Sequence, residues 1–229
     1  MNSIEEKKKG NLYIVATPIG NLADMTFRGI ETLESVDLIA CEDTRVTKKL
    51  LTHYEITVPT TALHHHSKEE KIERIVERLV AGENVAYVSD AGTPGISDPG
   101  NQLVAAAVEK DIVVSPIPGA SALSAVVSIA GINLQKFTFL EYPPHKKGRK
   151  TFFEKIAEND LPVIYYDSVH RVVKNLKLLQ EKKPDAQVIV GRELTKMFEE
   201  IKRGSISEVV SYFETNPQIV KGEFVVVAF

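Results

Sequence analysis

The chain has 229 residues, 43% hydrophobic and 26% charged, enough material for one large or two small cores. A formal net charge of -3 excludes a blanket electrostatic grip on nucleic acid and leaves only local basic patches for such contacts. The one cysteine, Cys41, excludes an intrachain disulfide; with no signal-like leader and no apolar run long enough for a bilayer, a cytoplasmic protein without membrane contact is expected.

Residues 1–10, with three successive lysines, read as a solvated, frayed terminus. Residues 12–16 (LYIVA) form a short apolar, β-branched run that stops at the loop TPIGN, residues 17–21. A helix over 26–35 follows, with Phe27, Ile30 and Leu33 at helical spacing, then a strand over 37–41, the loop CEDTR at 41–45 and a helix over 46–54. Residues 68–80 put Ile72, Ile75, Val76 and Leu79 on one face, a clear amphipathic helix. The strand 85–88 leads into the loop VSDAGTPGISDPG, residues 88–100, and a helix over 102–110 precedes a strand at 112–115 and the rigid turn PIPG. This alternation predicts an α/β fold whose first domain, residues 11–118, is a mostly parallel doubly wound sheet.

Residues 119–129 (GASALSAVVSI) are small and apolar around most of a helical circumference, which predicts a helix buried between layers at the domain junction. Beyond it, strands are expected at 137–142, 163–166, 187–191 and 224–229, and helices at 150–159, 170–181 and 207–215. The second domain, 119–229, thus reads as an α+β mixed sheet.

Three strand-end loops, TPIGN, SDAGTPGISDPG and PGAS, are rich in glycine, proline and short polar residues, and a parallel sheet brings such loops to one edge. Their convergence suggests a pocket approached by backbone groups, with Asp90 and Asp98 as fixed acceptors. Neither the GxxxxGK[ST] pattern nor GxGxxG is present, and aspartates would repel a phosphate chain. A cofactor with a ribose diol and a positive charge fits better than ATP or NAD.

VATPIGNL at 15–22, CEDTR at 41–45, SDAGTPGISDPG at 89–100, PIPGASA at 116–122, RELTK at 192–196 and KGEFVVV at 221–227 together resemble the bacterial branch of the tetrapyrrole-methylase superfamily that methylates a cytidine ribose of 16S rRNA at the 2′-oxygen. The resemblance implies S-adenosyl-L-methionine in a cleft between two α/β domains, and a homodimer. It implies cofactor contacts at Pro18, Asp90, Gly92, Ile96, Ser97, Ser121 and Ala122. Where members often read FLP plus basic residues and ESPHR, this chain has YPPHKK at 142–147 and DSVHR at 167–171, a departure that bears on the acceptor more than the cofactor.

Methyl transfer to a ribose hydroxyl is an in-line displacement, aided by a base for the 2′-hydroxyl. Asp43 and Glu193 are the candidate bases, with Arg45, Arg192 and Lys196 beside them to orient RNA phosphate or shift a neighbouring pKa. The plain alternatives are helix N-terminal charge placement for Asp43 and a surface ion pair for Glu193. His145, Lys146, Lys147, Arg149 and Lys150 form the densest basic cluster within the folded region, a candidate contact for RNA phosphates in the assembled small ribosomal subunit. His64, His65 and His66 suggest no metal site, because consecutive residues rarely converge on one ion. Cys41 reads as a small buried residue rather than a nucleophile. Two other readings remain open at this level: methylation of a small tetrapyrrole, and a non-enzymatic ribosome-binding protein with a degenerate pocket.

Overall fold

The computed structural model describes residues 8–64, 69–98 and 100–229. The chain divides into two units, Met1–Ser121 and Ala122–Phe229, so the PGAS turn belongs to the first.

In the first unit, strands β1 (Leu12–Val15), β2 (Leu38–Cys41), β3 (Thr60–Ala62), β4 (Val85–Val88) and β5 (Val114–Ile117) form a sheet in the order β3-β2-β4-β1-β5. Every neighbouring pair is parallel. Helices α1 (Phe27–Ser35) and α2 (Thr44–His53) supply Leu33 and Leu51 to one face of the sheet. Helices α3 (Glu69–Val80) and α4 (Gly100–Val108) supply Ile75, Leu79, Leu103 and Ala107 to the other. Alternate strand residues feed the two cores, Tyr87 one side and Val88 the other, so the near-continuous apolar strands are those of a sheet covered on both faces.

The crossover through α1 carries the chain from β1 toward β2, while that through α4 carries it from β4 to β5 in the opposite direction. The adjacent strands β4 and β1 therefore flank the topological switch point, where open α/β sheets bind ligands beyond their carboxyl ends.

Several boundaries moved for local reasons. Helix α2 starts two residues earlier than its periodicity suggests, because Asp43 caps it by accepting the Arg45 backbone N–H. Strand β5 runs through Pro116 to Ile117, further than the expected turn, and it tolerates proline because it lies at the sheet edge. The three-residue edge strand β3 carries too little pattern to be read. His64 follows it, and His65 and His66 lie outside the described residues.

In the second unit, strands β6 (Thr138–Phe139), β7 (Val163–Ser168), β8 (Gln187–Arg192), β9 (Glu200–Ser205) and β10 (Glu223–Ala228) form a mixed sheet in the order β6-β7-β10-β8-β9. Only β6 and β7 pair in parallel. Helices α6 (Arg149–Ala157), α7 (Val172–Lys182) and α8 (Ile206–Thr215) pack Phe153, Leu176 and Phe213 onto Tyr165, Val190 and Val226. Strand β9, EIKRGS, escapes a hydrophobic-pattern reading because it is an edge whose charges keep it from pairing further. Helix α5 (Ala122–Ile129) corrects an expectation: only Val126 is buried among its residues, and Ile129 is 37% exposed, so its apolar composition does not mark an enclosed helix.

Candidate active site

The three glycine-rich loops of the first unit are stitched together by short bonds around Gly92. The Thr17 and Gly92 backbones exchange two hydrogen bonds, at 2.9 and 3.0 Å. Thr17 Oγ1 donates to the Ser89 carbonyl, Ser89 Oγ donates to the Gly92 carbonyl, and Thr93 Oγ1 donates to the Ala120 carbonyl at 3.0 Å. Loops that follow β1, β4 and β5 are thereby fixed as one rigid rim at the switch point. Gly92 sits at φ +87°, and a Cβ there would lie 3.2 Å from Ile19 Cγ2 and 3.6 Å from the Ala120 carbonyl oxygen. Only glycine meets both demands.

Asp98 has a different place from the one its sequence suggests. Its carboxylate accepts the backbone N–H groups of Gly95, at 2.7 Å, and Gly100, at 3.1 Å, so it closes the loop on itself. Ile96 and Ser97 lie on the turn it holds, half-buried and exposed respectively.

Asp90 lies two residues past the end of β4, and its Oδ1 accepts the Asp43 backbone N–H at 2.9 Å. Burial pushes its carboxyl above the ordinary carboxylate value, against the lowering effect of that bond. Asp43 is the opposite case. The Arg45 guanidinium grips both its oxygens, at 2.6 to 3.1 Å, and with the Arg45 backbone N–H holds it at about 2. A carboxylate that acidic is a weak proton acceptor, and Asp90 is the more basic of the two.

Between the β1 loop, the end of β4 and the first turns of α2 lies a cavity of about 340 Å³. Pro18, Leu22, Val46 and Leu50 make its walls apolar, and Thr47, Lys49 and Asp90 bring polar groups to it. Among the described residues of this unit two buried hydroxyls lack an oxygen or nitrogen hydrogen-bond partner: Ser121 Oγ after the PG turn, and Thr47 Oγ1 on α2, which meets only the Cys41 sulfur. Buried hydroxyls are rarely left so unless a ligand or water completes them. Cys41, beneath Thr47, has its thiol pushed up by burial and donates weakly to the Thr61 carbonyl, which leaves it no nucleophilic role.

The candidates of the second unit are mostly engaged. Glu193, at φ +50°, accepts from Lys196 Nζ at 2.8 Å and from the Glu223 backbone N–H at 3.0 Å, and Lys196 also donates to Glu223 Oε2. These bonds clamp the turn after β8 to the start of β10, and the lysine holds the Glu193 carboxyl below its ordinary value despite its partial burial. Arg192 is buried and paired with Glu200 across β8 and β9 at 3.0 Å. In the basic cluster, Arg149 turns back on its own loop to donate to the Pro144 and His145 carbonyls. Lys146 and Lys147 remain exposed. Arg171 of the divergent DSVHR stretch donates to the Pro143 carbonyl at 2.9 Å, which ties the two departing segments to each other. Ala122 opens α5 in the second unit.

Among the described residues, no three His, Cys, Asp or Glu side chains gather as metal ligands, and no helix is long and apolar enough to cross a membrane.

The sequence pattern of the family described as Tetrapyrrole (Corrin/Porphyrin) Methylases matches residues 11–210. A ribosomal RNA small subunit methyltransferase I from Synechocystis sp. is 46% identical over 220 residues, covering 95% of this chain and 78% of the relative. Proteins of the same name from Streptococcus pyogenes serotype M1 and Bacillus subtilis are each 45% identical, covering 96% and 95% of this chain and 76% and 74% of theirs. Among solved structures, a cobalt precorrin-4 methyltransferase superposes with a TM-score of 0.70 at 18% identity, covering 95% of this chain and 94% of that one. A diphthine synthase superposes with a TM-score of 0.72 at 16% identity, covering 95% and 89%. At those identities the tetrapyrrole and diphthine enzymes share the fold, whereas the ribosomal RNA enzymes share the sequence. The chain belongs to the tetrapyrrole methylase family and, within it, to the ribosomal RNA small subunit methyltransferase I group.

Proposed function

We propose that this protein methylates the 2′-oxygen of a cytidine ribose in 16S ribosomal RNA, with S-adenosyl-L-methionine as the methyl donor. The observation that carries the site is the rim of three loops stitched around Gly92, beside a cavity whose wall includes Asp90. S-adenosyl-L-methionine supplies an electrophilic methyl group on a sulfonium centre. The residues fit such a cofactor: Gly92 offers a bare backbone cradle and Ser121 an unpartnered buried hydroxyl. Pro18, Gly92, Ile96, Ser97, Ser121 and Ala122 are its proposed holders.

Alignment of donor and acceptor in such a site supplies about 7 to 11 kcal/mol of the barrier reduction. Asp90, ionised and raised in basicity by burial, accepts the 2′-hydroxyl proton. Asp43 serves it indirectly, by donating its N–H to Asp90 and anchoring Arg45 at the rim. Glu193 and Lys196 hold the β8–β9 turn that carries exposed Met197 and Phe198. Lys146 and Lys147, with Arg45, meet RNA phosphates.

A net charge of -3 gives weak attraction to naked RNA, which favours the assembled small subunit as substrate. A cytoplasmic homodimer completes the reading, checked by sedimentation at working concentration. Incubating the protein with radiolabelled S-adenosyl-L-methionine and small subunits lacking the modification, then mapping the label, tests the function. Label on one cytidine ribose is the expected result; label on a base, or on precorrin but not RNA, overturns it.

A further inference from the structure

Two buried hydroxyls of the first unit without an oxygen or nitrogen partner, Ser121 Oγ and Thr47 Oγ1, lie at different places on its rim. Ser121 Oγ lies on the β5 side of the Thr17–Gly92 bridge, next to the atoms that would crowd a Cβ on Gly92. Thr47 Oγ1 lies on α2, which follows β2, and lines the 340 Å³ cavity on the other side of β1. The strand order β2-β4-β1-β5 keeps these features apart, with Asp90 just past the end of β4 between them. If the donor occupies the Gly92 cradle, the cavity is left for the acceptor.

The cavity's chemistry is that of a slot for one flat ring. Leu22, Val46 and Leu50 provide apolar walls, with Pro18 at the border toward the donor cradle, and such walls suit the faces of a nucleobase and do not suit a phosphate. Its size admits a single extruded nucleotide, the state in which enzymes commonly reach one unit of a folded nucleic acid. Among the described lining residues Lys49 is the one cation, and it forms no ion pair with any described residue. An ammonium donates three hydrogen bonds and accepts none. Cytosine presents two adjacent acceptors, O2 and N3, whereas uracil carries a donor at N3.

We propose that this cavity receives the pyrimidine ring of the acceptor nucleotide, with Lys49 donating to its O2/N3 edge and the Thr47 hydroxyl turning from the Cys41 sulfur to bond the same ring, so that these two residues select cytosine over uracil. The inference rests on the cytidine methylation proposed above and adds to it the residues that read the base.

Lys49→Gln and Thr47→Val test it together. The first keeps reach but can present an acceptor to uracil; the second keeps shape and removes the hydroxyl. Two quantities are read for each: the dissociation constants of a short RNA loop carrying C or U at the mapped position, measured with S-adenosylhomocysteine bound, and kcat/KM on small subunits. Lys49→Gln is expected to cut the preference for C over U by about ten- to hundredfold in both readouts, the range of one well-placed base contact. Thr47→Val is expected to reduce the preference with the melting temperature unchanged, a combination that a merely structural hydroxyl would not produce. Affinity for S-adenosyl-L-methionine stays as in wild type. An unchanged C over U preference in an active wild-type background overturns this proposal and leaves the methylation reading standing. Weakened cofactor binding by both variants overturns it too, because the cavity would then hold the donor. A wild-type protein that transfers no methyl to small subunits overturns both readings.

Discussion

Asp90 Oδ1 accepts the backbone N–H of Asp43 at 2.9 Å, joining the loop after β4 to the cap of α2 across 47 residues of chain. The two carboxylates that flank this bond differ in character, one raised by burial and the other held at about 2 by Arg45. Their proximity makes the pair the electrostatic centre of the first unit's rim.

Asp90→Asn preserves the acceptor for the Asp43 N–H and removes the charge. We expect kcat to fall by about 10² to 10⁴-fold, the usual contribution of a positioned base. The base works deprotonated, so wild-type activity declines as pH falls through the raised Asp90 value, and this acid limb disappears in the variant. Asp43 stays ionised through the neutral range and adds no inflection there; Asp43→Asn is expected to cost less than about tenfold, since it loosens an exposed pair. Steady-state pH profiles of the three proteins check this, and an acid limb that survives in Asp90→Asn removes Asp90 from the role.

Gly92→Ala places a side chain at φ +87° and presses a methyl to 3.2 Å from Ile19. The left-handed backbone alone costs about 1 to 2 kcal/mol. A lower melting temperature and at least about tenfold weaker cofactor binding are expected, the latter corresponding to about 1.4 kcal/mol. Calorimetry with S-adenosyl-L-methionine and a thermal scan provide the two numbers; normal affinity in a destabilised variant would confine Gly92 to folding.

Lys146 and Lys147 are exposed, whereas Arg149 braces the loop from within. Each lysine changed to alanine should reduce the slope of log K against log salt for RNA binding by about 0.7. Arg149→Ala should instead destabilise the fold by about 0.5 to 1.5 kcal/mol, through loss of its carbonyl contacts. Salt titrations set beside melting curves separate the two behaviours, and a slope unmoved by both lysine changes counts against the RNA contact.

Asp167 is 1% exposed, and burial raises its carboxyl although Asn175 Nδ2 donates to both oxygens, at 2.8 and 3.1 Å. A carboxyl raised in the folded state binds its proton more tightly there than in the unfolded chain. Its contribution to stability is therefore greatest at acid pH and declines as pH rises from about 3.9, the unfolded value, through the folded one. Asp167→Asn abolishes that slope, and its amide can donate to Asn175 Oδ1, which lacks a partner. Denaturant unfolding between acid and neutral pH should show the variant flatter and at least as stable at neutrality; a parallel pH dependence would exclude Asp167 as its source.

Local chemistry made much of the fold legible in the sequence. The four-residue apolar strands, the amphipathic face of α3 and the glycine and proline punctuation of the 88–100 loop depend on neighbours in sequence, and they are enough to bring three glycine-rich loops to one sheet edge. The six motifs identified the family for the same reason. Weak patterns hid β3, three residues long, and β9, whose charges belong to an edge. The apolar circumference of α5 suggested an enclosure that its exposed Ile129 does not have.

What tertiary structure alone decided was how the polar groups spend their bonds. Composition could not show that Asp98 closes its own loop, that Glu193 and Lys196 clamp a turn against β10, or that Arg149 faces inward, because each bond joins residues whose approach depends on the folded backbone. The same holds for the Asp90–Asp43 contact, which exists only because β2 and β4 lie side by side. Residue types and spacing determined which chemistry the chain carries; the packing of strands from distant segments determined which carboxylate is raised by burial and which is held down by an arginine.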